Sequence, residues 1–363
     1  MDDQALADYM SEATDRLIGR VRQLARRNPA ETRFLLRFAI AEKKAARTRK
    51  EQENAGCHVP GFLIASITTS CNLHCRGCYA RADGICGRSD RRELTDSEWQ
   101  SIFRQASDLG ISFCILAGGE PLMRRDLLRQ AALHRGTVFP VFTNGTLMDS
   151  EALELFDVYR NLIPIFSLEG LQKTTDLRRG AGTFDRVTAA MQEAARRHLF
   201  FGVSVTVTAA NLKEVTGVAF QDRLEEAGCG IVFFIEYVPT GNDVGLALGR
   251  SKRAELAEGV QNCRNRYRQT VFMSFPADEA RFGGCIGAGR GFFHINPYGD
   301  AEACPASPYS DMNLRDHRLT EVLRSPLFGR LRTAGLLHGE PVGGCILRER
   351  EDEVRSLVHI ETD

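Results

Sequence analysis

The sequence predicts a parallel α/β fold between residues 56 and 241, because short apolar runs alternate there with helical stretches. Strand and helix in alternation require parallel strands joined by right-handed crossovers. Six such units are too few to close an eightfold barrel. The six predicted strands are Phe62–Thr68, Phe113–Ala117, Val138–Thr143, Ile163–Leu168, Gly202–Thr208 and Ile231–Val238.

Residues 1–55 are predicted to form a helical segment in front of this region. Apolar residues recur every three to four positions from Leu6 to Leu24, so they share one helix face. A second helix is predicted to start at Asn28, with Pro29 at its first position and Glu31 completing a capping box. Within the α/β region, another capping box predicts a helix that begins after Thr95 and ends at Gly110.

Composition places the chain among soluble globular proteins. It has 363 residues, 43% hydrophobic and 26% charged, and this length predicts about two domains. The formal net charge of zero argues against a nucleic-acid partner, and no apolar run is long enough to span a membrane. Eleven cysteines without a recognisable export signal predict a cytoplasmic, reducing location, where cysteines are more often metal ligands or free thiols than disulfides.

The cysteine run after the first strand predicts a metal centre. Cys71, Cys75 and Cys78 have C-x3-C-x2-C spacing, and three thiolates so close together can hold three corners of a cubane [4Fe–4S] cluster. The run supplies no fourth cysteine, which would leave one iron open. An alternative remains, because His74 could complete a Cys3His zinc site.

A second motif, Gly118-Gly119-Glu120-Pro121, follows the second predicted strand. The cysteine run and this GGEP motif, in this order, resemble the signature of the radical S-adenosylmethionine (radical SAM) enzymes. The resemblance implies a partial (β/α)6 barrel over residues 56–241, with SAM bound at the open iron of the cluster. The chemistry of parallel α/β barrels lies at the C-terminal ends of the strands, and each motif here follows a strand.

The resemblance also implies which residues contact SAM. Gly118 and Gly119 allow a close approach to the methionine amino group, for which Glu120 could be an acceptor. Gly77 stands where the family usually has an aromatic residue, and the aromatic Tyr79 instead follows the third cysteine. Turn capping is the alternative role for Ser167 and Glu169. The predicted cofactor-binding residues are Gly77, Tyr79, Gly118, Gly119, Glu120, Pro121, Thr143, Asn144, Ser167 and Glu169.

Residues 242–363 are predicted to form a small α+β auxiliary-cluster domain. A helix over about Lys252–Tyr267 precedes a β-hairpin whose ends are Cys285 and Cys304, and Cys345 follows later. This pattern resembles the start and end of SPASM/Twitch domains, which implies a second [4Fe–4S] cluster. Its fourth ligand could be Cys263, or one iron could stay open. Reduced structural thiols or a zinc site are the alternative.

The remaining cysteines have weaker assignments. Cys114 and Cys229 lie in apolar surroundings and are predicted to be core residues. Cys57 has no assigned role. Cys86 is a weak candidate for a catalytic hydrogen-atom donor at the barrel mouth.

The resemblance implies reductive cleavage of SAM to a 5′-deoxyadenosyl radical, which removes a hydrogen atom from a substrate. An external flavodoxin or ferredoxin would supply the electron. The expected substrate is a peptide or protein side chain. The alternatives are a small-molecule radical SAM enzyme of cofactor biosynthesis and a non-catalytic iron–sulfur redox protein.

Overall fold

The computed structural model describes residues 29–82, 90–239, 244–339, 341 and 344–358. The first predicted helix, Asn28, Cys86 and the residue pair Thr240-Gly241 lie outside these residues. The first described helix, α1, covers Pro29–Asn54, where the second predicted helix lies.

One nine-stranded sheet organises the chain, in the order β7-β6-β5-β4-β3-β2-β1-β8-β9. Strands β1 to β7 pair in parallel, and β8 adds to the free edge of β1, also in parallel. The strands are β1 Phe62–Ser66, β2 Phe113–Ala117, β3 Phe139–Thr143, β4 Leu162–Leu168, β5 Gly202–Val207, β6 Ile231–Glu236, β7 Val271–Phe275, β8 His294–Ile295 and β9 Ala301–Glu302. All six predicted strands are therefore present.

Helices connect the strands as the alternating pattern requires. Two short 3-10 helices that matter below are Pro121–Arg124 and Ala277–Phe282. The remaining α-helices are α2 Tyr79–Ala82, α3 Asp96–Asp108, α4 Arg125–Ala131, α5 Ser150–Val158, α6 Gln172–Arg179, α7 Thr183–Arg196, α8 Leu212–Val215, α9 Val218–Glu226, α10 Arg250–Arg266, α11 Leu319–Val322, α12 Pro326–Thr333, α13 Ile346–Glu349 and α14 Glu351–Val358.

Helix α3 shows why the local sequence signals were reliable. The Thr95 hydroxyl accepts the Glu98 backbone N–H, and the Glu98 carboxylate accepts the Thr95 N–H at 2.7 Å, so the predicted capping box is present. Gly110 follows the helix with φ 84°, a conformation that only glycine adopts without strain.

The sheet buries apolar side chains on both faces, as expected for parallel strands covered by helices. The helix-facing side forms the larger core, which includes Trp99, Phe103 and Phe166. The other face carries a smaller cluster around Ile165 and Phe233. Because strand residues alternate between faces, the same face of β4 also carries Ser167 nearer the C-terminal end of the strand.

The C-terminal segment continues the sheet. Strand β7 was not predicted, and it pairs with β6 beyond residue 241, where we expected the barrel segment to end. Strands β8 and β9 form the predicted antiparallel hairpin, and β8 aligns with β1 so that Ile64 pairs with His294. The hairpin thus lies beside the strand that leads into the cysteine run.

Among the helices of the described residues, none combines the length and the apolar character that crossing a bilayer requires.

Candidate iron–sulfur and cofactor site

The loop after β1 brings the three cysteines of the first run together. The charges of Cys75 and Cys78 act on the thiol of Cys71, but burial is the largest effect and raises its pKa. Burial likewise raises the pKa of Cys75, which the positive charges of Arg179 and Arg178 oppose. These two arginines therefore favour the thiolate form that iron binding requires.

His74, the alternative fourth ligand, is exposed to solvent. Across the residues that the structure describes, no three His, Cys, Asp or Glu side chains converge tightly enough to hold one metal ion. A cubane differs from a single ion in that its ligands are distributed over separate corners. The loop offers three soft thiolate donors, and this donor set fits such a cluster.

Gly118 and Gly119 are required because the chain passes very close to itself. A Cβ on Gly118 would lie 2.6 Å from the Thr68 carbonyl oxygen, and one on Gly119 would lie 2.0 Å from that of Ser70. The Gly119 N–H donates to Thr68 at 2.8 Å, and the Glu120 N–H donates to Ser70 at 2.8 Å. The glycines thus let the GGEP loop pack directly against the start of the cysteine loop. This packing role comes in addition to the predicted one, which is to allow a ligand to approach closely.

Glu120 joins the ends of two neighbouring strands. Its buried carboxylate accepts the Thr143 hydroxyl at 2.7 Å, the Asn144 N–H at 2.7 Å and the Leu122 N–H at 3.0 Å. Burial raises its pKa, although these hydrogen bonds oppose the shift. The predicted role as a SAM acceptor stays a prediction, since three protein donors already share the carboxylate. Pro121 is the buried first residue of the following 3-10 helix.

The strand ends are also tied to the cysteine loop. The Asn144 side-chain amide donates to the Asn72 side-chain oxygen at 2.9 Å, and Asn72 donates to the Thr146 hydroxyl at 2.8 Å. Asn72 directly follows Cys71. The predicted residues Thr143 and Asn144 therefore reach the cluster loop through one hydrogen-bonded network.

Glu169, directly after β4, pairs with both Arg178 and Arg179. One carboxylate oxygen, Oε1, accepts from Arg178 at 2.6 Å and from Arg179 Nε at 2.7 Å. The other oxygen, Oε2, is buried and finds no hydrogen-bond partner among the described residues. Such an orphaned acceptor fits a ligand that brings its own N–H or O–H group. Both arginine side chains are largely buried, and Arg178 also donates to the carbonyl oxygen of Gly77 in the cysteine loop, so the pair lies beside that loop.

Tyr237, just after β6, occupies the space beside Gly77. A Cβ on Gly77 would lie 2.9 Å from the Tyr237 ring, and Gly77 has φ 65°. The Tyr237 ring is buried, and its hydroxyl has no hydrogen-bond partner in the described part of the chain. Tyr79, the aromatic residue that we predicted to bind cofactor, starts α2 and packs, like Cys71 and Cys78, against the buried Ala80. Sequence reasoning missed Tyr237, which no motif marks.

The three C-terminal cysteines also come together. Cys304 hydrogen-bonds Cys345, which raises the pKa of Cys304, and the charge of Cys285 acts on the same thiol. Burial, with Glu279 and Cys345 nearby, raises the pKa of Cys285. The hairpin therefore brings its two end cysteines close, as the sequence predicted. That these thiols bind a cluster stays a prediction.

The other described cysteines lie elsewhere. Cys263 is on α10, where its thiol contacts the Thr216 carbonyl oxygen at 3.7 Å and burial raises its pKa to about 11. Its position gives no support to our suggestion of a fourth auxiliary ligand. Cys114 and Cys229 are core residues, as predicted, and Cys57 is also buried in the core.

A buried polar group that sequence analysis missed links β1 to the hairpin. The Ser66 hydroxyl lies 2.8 Å from His294 Nε2, and His294 Nδ1 lies 2.7 Å from the Glu302 carboxylate. The other Glu302 oxygen accepts the Asn296 amide at 2.7 Å. Alternation within the hairpin placed His294 and Asn296 on one face, but no local signal indicated their partners.

Comparisons with known proteins agree with this geometry. The family model described as the Radical SAM superfamily matches residues 65–226. The Fe-coproporphyrin III synthase of Methanosarcina barkeri is 29% identical over 60% of this chain and 54% of its own length, so the match spans about half of that relative. The AdoMet-dependent heme synthase of the same organism is 26% identical over 78% of this chain and 88% of its own.

Peptide-modifying relatives are found as well. The PqqA peptide cyclase of Rhizobium meliloti is 26% identical over 72% of this chain and 73% of its own. Among solved structures, Streptococcus suis SuiB bound to S-adenosylmethionine has a TM-score of 0.67 at 19% identity, over 80% of this chain and 72% of SuiB. Residues 65–226 therefore match the radical SAM superfamily, whose cofactors are a [4Fe–4S] cluster and S-adenosylmethionine, and the relatives and the fold agree with a SPASM/Twitch-type C-terminal segment.

Proposed function

We propose that this chain is a radical SAM enzyme that removes a hydrogen atom from a peptide or protein side chain. When bound, the reduced cluster and SAM supply a 5′-deoxyadenosyl radical as the hydrogen-abstracting species. The observation that supports this most is the convergence of Cys71, Cys75 and Cys78 without a fourth ligand from their loop. We also infer an external flavodoxin- or ferredoxin-type electron donor.

The residues of this chain have distinct tasks in that function. Arg178 and Arg179 stabilise the thiolate of Cys75 and hold Glu169 with one oxygen unpaired. That oxygen is placed to accept a donor group of SAM or substrate. The network around Glu120 fixes two strand ends against the cysteine loop, which keeps the site in shape before any ligand enters.

The first test is production of 5′-deoxyadenosine by the reconstituted, reduced chain under anaerobic conditions. We expect Cys75→Ser to abolish the product, because a cluster corner is lost. Cys229→Ser is the matched control, since Cys229 lies outside the site and donates to the Ile231 carbonyl, a bond that serine can also make. Wild-type chain that forms no 5′-deoxyadenosine would refute the proposal.

The relatives support two substrate classes. The PqqA peptide cyclase and the SuiB structure with precursor peptide SuiA favour a peptide. The heme and Fe-coproporphyrin III synthases favour a tetrapyrrole-sized small molecule as the second candidate. A short peptide encoded beside the gene of this chain, deuterated at its side chains, should transfer deuterium into 5′-deoxyadenosine. Transfer from a deuterated coproporphyrin instead would replace the peptide proposal with the second candidate.

A further inference from the structure

The sheet curls around the face that carries Ile165 and Phe233, which we call the inner face. The Phe142 ring on β3 lies 5.4 Å from the Phe233 ring on β6, centroid to centroid. These strands are three positions apart in the sheet, which would separate them by about 14 Å if the sheet were flat. The two rings therefore meet across the interior of a curved sheet and form an apolar layer there.

Beside and above this layer, toward the C-terminal strand ends, the inner face carries three hydroxyl groups. Ser167 on β4 is the register partner of Ser204 on β5, so the two side chains share a face, and Thr206 lies two residues further along β5. All three residues are partly exposed, whereas their neighbours on the other face, Leu168 and Val205, are buried. None of the three hydroxyls has a hydrogen-bond partner in the described part of the chain, so they are open to a ligand in the interior.

Two buried polar atoms at the strand ends also lack a partner among the described residues. They are Oε2 of Glu169 and the hydroxyl of Tyr237, in residues that are 1% and 2% exposed. Glu169 comes two residues after Ser167, and Tyr237 comes two residues after Ile235, so each continues an inner-face series. Because buried polar atoms are almost always hydrogen-bonded, these two atoms point to a ligand that reaches the interior.

The inner face offers no counter-charge to such a ligand. Among inner-face positions of the described strands, the ionisable side chains are His294 and Glu302, which are buried and bonded to each other at 2.7 Å. Arg178 and Arg179 lie beyond the end of β4 and already share Glu169. A charged group in the interior would therefore be buried without a partner, which is costly. A wholly apolar group would instead leave the three hydroxyls without partners.

We propose that this interior binds an uncharged substrate side chain that carries a hydroxyl or amide group. Ser204 and Thr206 hydrogen-bond that group, while the carbon atoms of the side chain lie against Phe142 and Phe233. The inference rests on the proposed function and deepens it, because it names the class of side chain that loses the hydrogen atom. It also disfavours the second candidate, since the carboxylates of a coproporphyrin would find no counter-charge on this face.

The test uses three probes of similar size, propionamide, propanoate and propylammonium, each deuterated at every carbon. Each probe is added below saturation to the reconstituted, reduced full chain with SAM. Mass spectrometry then measures the fraction of the 5′-deoxyadenosine that carries deuterium, a fraction that does not depend on the total amount of product. We expect roughly tenfold or more deuterium from propionamide than from either ion, because both ions would be buried without a partner.

Two variants show whether the hydroxyls hold the probe. Ser204→Ala and Thr206→Val each remove one hydroxyl, and each should lower the deuterated fraction from propionamide roughly fivefold, for one lost hydrogen bond. Ser274→Ala is the matched control, because Ser274 on β7 pairs with Phe234 and so faces the other side of the sheet. Its deuterated fraction should equal that of the parent. A urea midpoint equal to that of the parent shows that each variant is folded.

The outcomes separate this inference from the proposed function. Equal deuterium from the three probes, or from the parent and both hydroxyl variants, would overturn the inference while 5′-deoxyadenosine still forms. A parent chain that forms no 5′-deoxyadenosine refutes the proposed function, and the inference then fails with it. With the peptide substrate, deuterium should come from a serine, threonine, tyrosine, asparagine or glutamine side chain. Transfer from a charged or a wholly apolar side chain would also overturn the inference.

Discussion

The carboxylate of Glu120 should stabilise the ends of β2 and β3, and Glu120→Gln tests this. Glutamine can still accept the Thr143 hydroxyl and the Leu122 N–H through its oxygen. Its amide group then faces the Asn144 N–H, donor against donor, where the carboxylate oxygen accepted at 2.7 Å. Leaving a buried N–H unsatisfied costs about 1–3 kcal/mol, so we expect a loss of that size in unfolding free energy.

Thr143 provides a matched pair of variants. Thr143→Ser keeps the hydroxyl that donates to Glu120 and accepts the Gly145 N–H at 3.0 Å, so it should cost little. Thr143→Val removes both hydrogen bonds and should cost about 1–3 kcal/mol. Because Glu120→Ala removes the acceptor of the hydrogen bond from Thr143, the double variant of Glu120→Ala and Thr143→Val should lose less than the sum of the two single losses, by about 0.5–2 kcal/mol.

The assay is urea unfolding of the cluster-free chain under reducing conditions, followed by circular dichroism. The slope of unfolding free energy against urea should stay constant across the series, which shows that stability alone has changed. A Glu120→Gln chain within about 0.5 kcal/mol of wild type, or strictly additive double-variant losses, would refute the reasoning.

Three more predictions use the same unfolding assay. Gly77→Ala should lower the unfolding free energy by about 1–2 kcal/mol because of the left-handed backbone, and by more because the new Cβ would lie 2.9 Å from the Tyr237 ring. Adding Tyr237→Ala removes that close contact and should recover only the second of these losses. No recovery in the double variant would contradict the prediction. His294→Ala should cost roughly 3–5 kcal/mol, since it leaves a buried serine and a buried glutamate without their partner, and an unchanged stability would contradict it. The hydrogen bond from Arg92 lowers the pKa of Glu98 from 4.5 to about 2. The difference in unfolding free energy between wild type and Glu98→Gln should therefore be complete above pH 4.5 and shrink as the pH falls toward 2. A difference that does not depend on pH would contradict this prediction.

The strands and the helix caps could be predicted because their signals are local. The apolar runs and the capping box at Thr95 each need only a few neighbouring residues, and the structure bears both out. Strand β7 was missed because Val271–Phe275 comes after the regular alternation has ended, and only its pairing with β6 shows that it belongs to the sheet.

The site was predictable in part for the same reason. The spacing of Cys71, Cys75 and Cys78 can be read directly, since the three residues lie within one short loop. The sequence motif identified Gly118 and Gly119. The reason that no larger residue fits is the close approach of the Thr68 and Ser70 carbonyl oxygens, which lie about fifty residues earlier in the chain. Spacing offered no means of finding that contact.

By itself, the sequence determined the parallel α/β architecture, the first cysteine triad and the closeness of the hairpin cysteines, because each depends on periodicity or short-range spacing. Only the tertiary structure decided which groups face one another across the fold. Glu169 pairs with two arginines, Tyr237 fills the space beside Gly77, and His294 joins Ser66 to Glu302. Such partners come from different strands and loops, and a one-dimensional pattern does not record which of them the packed sheet brings together.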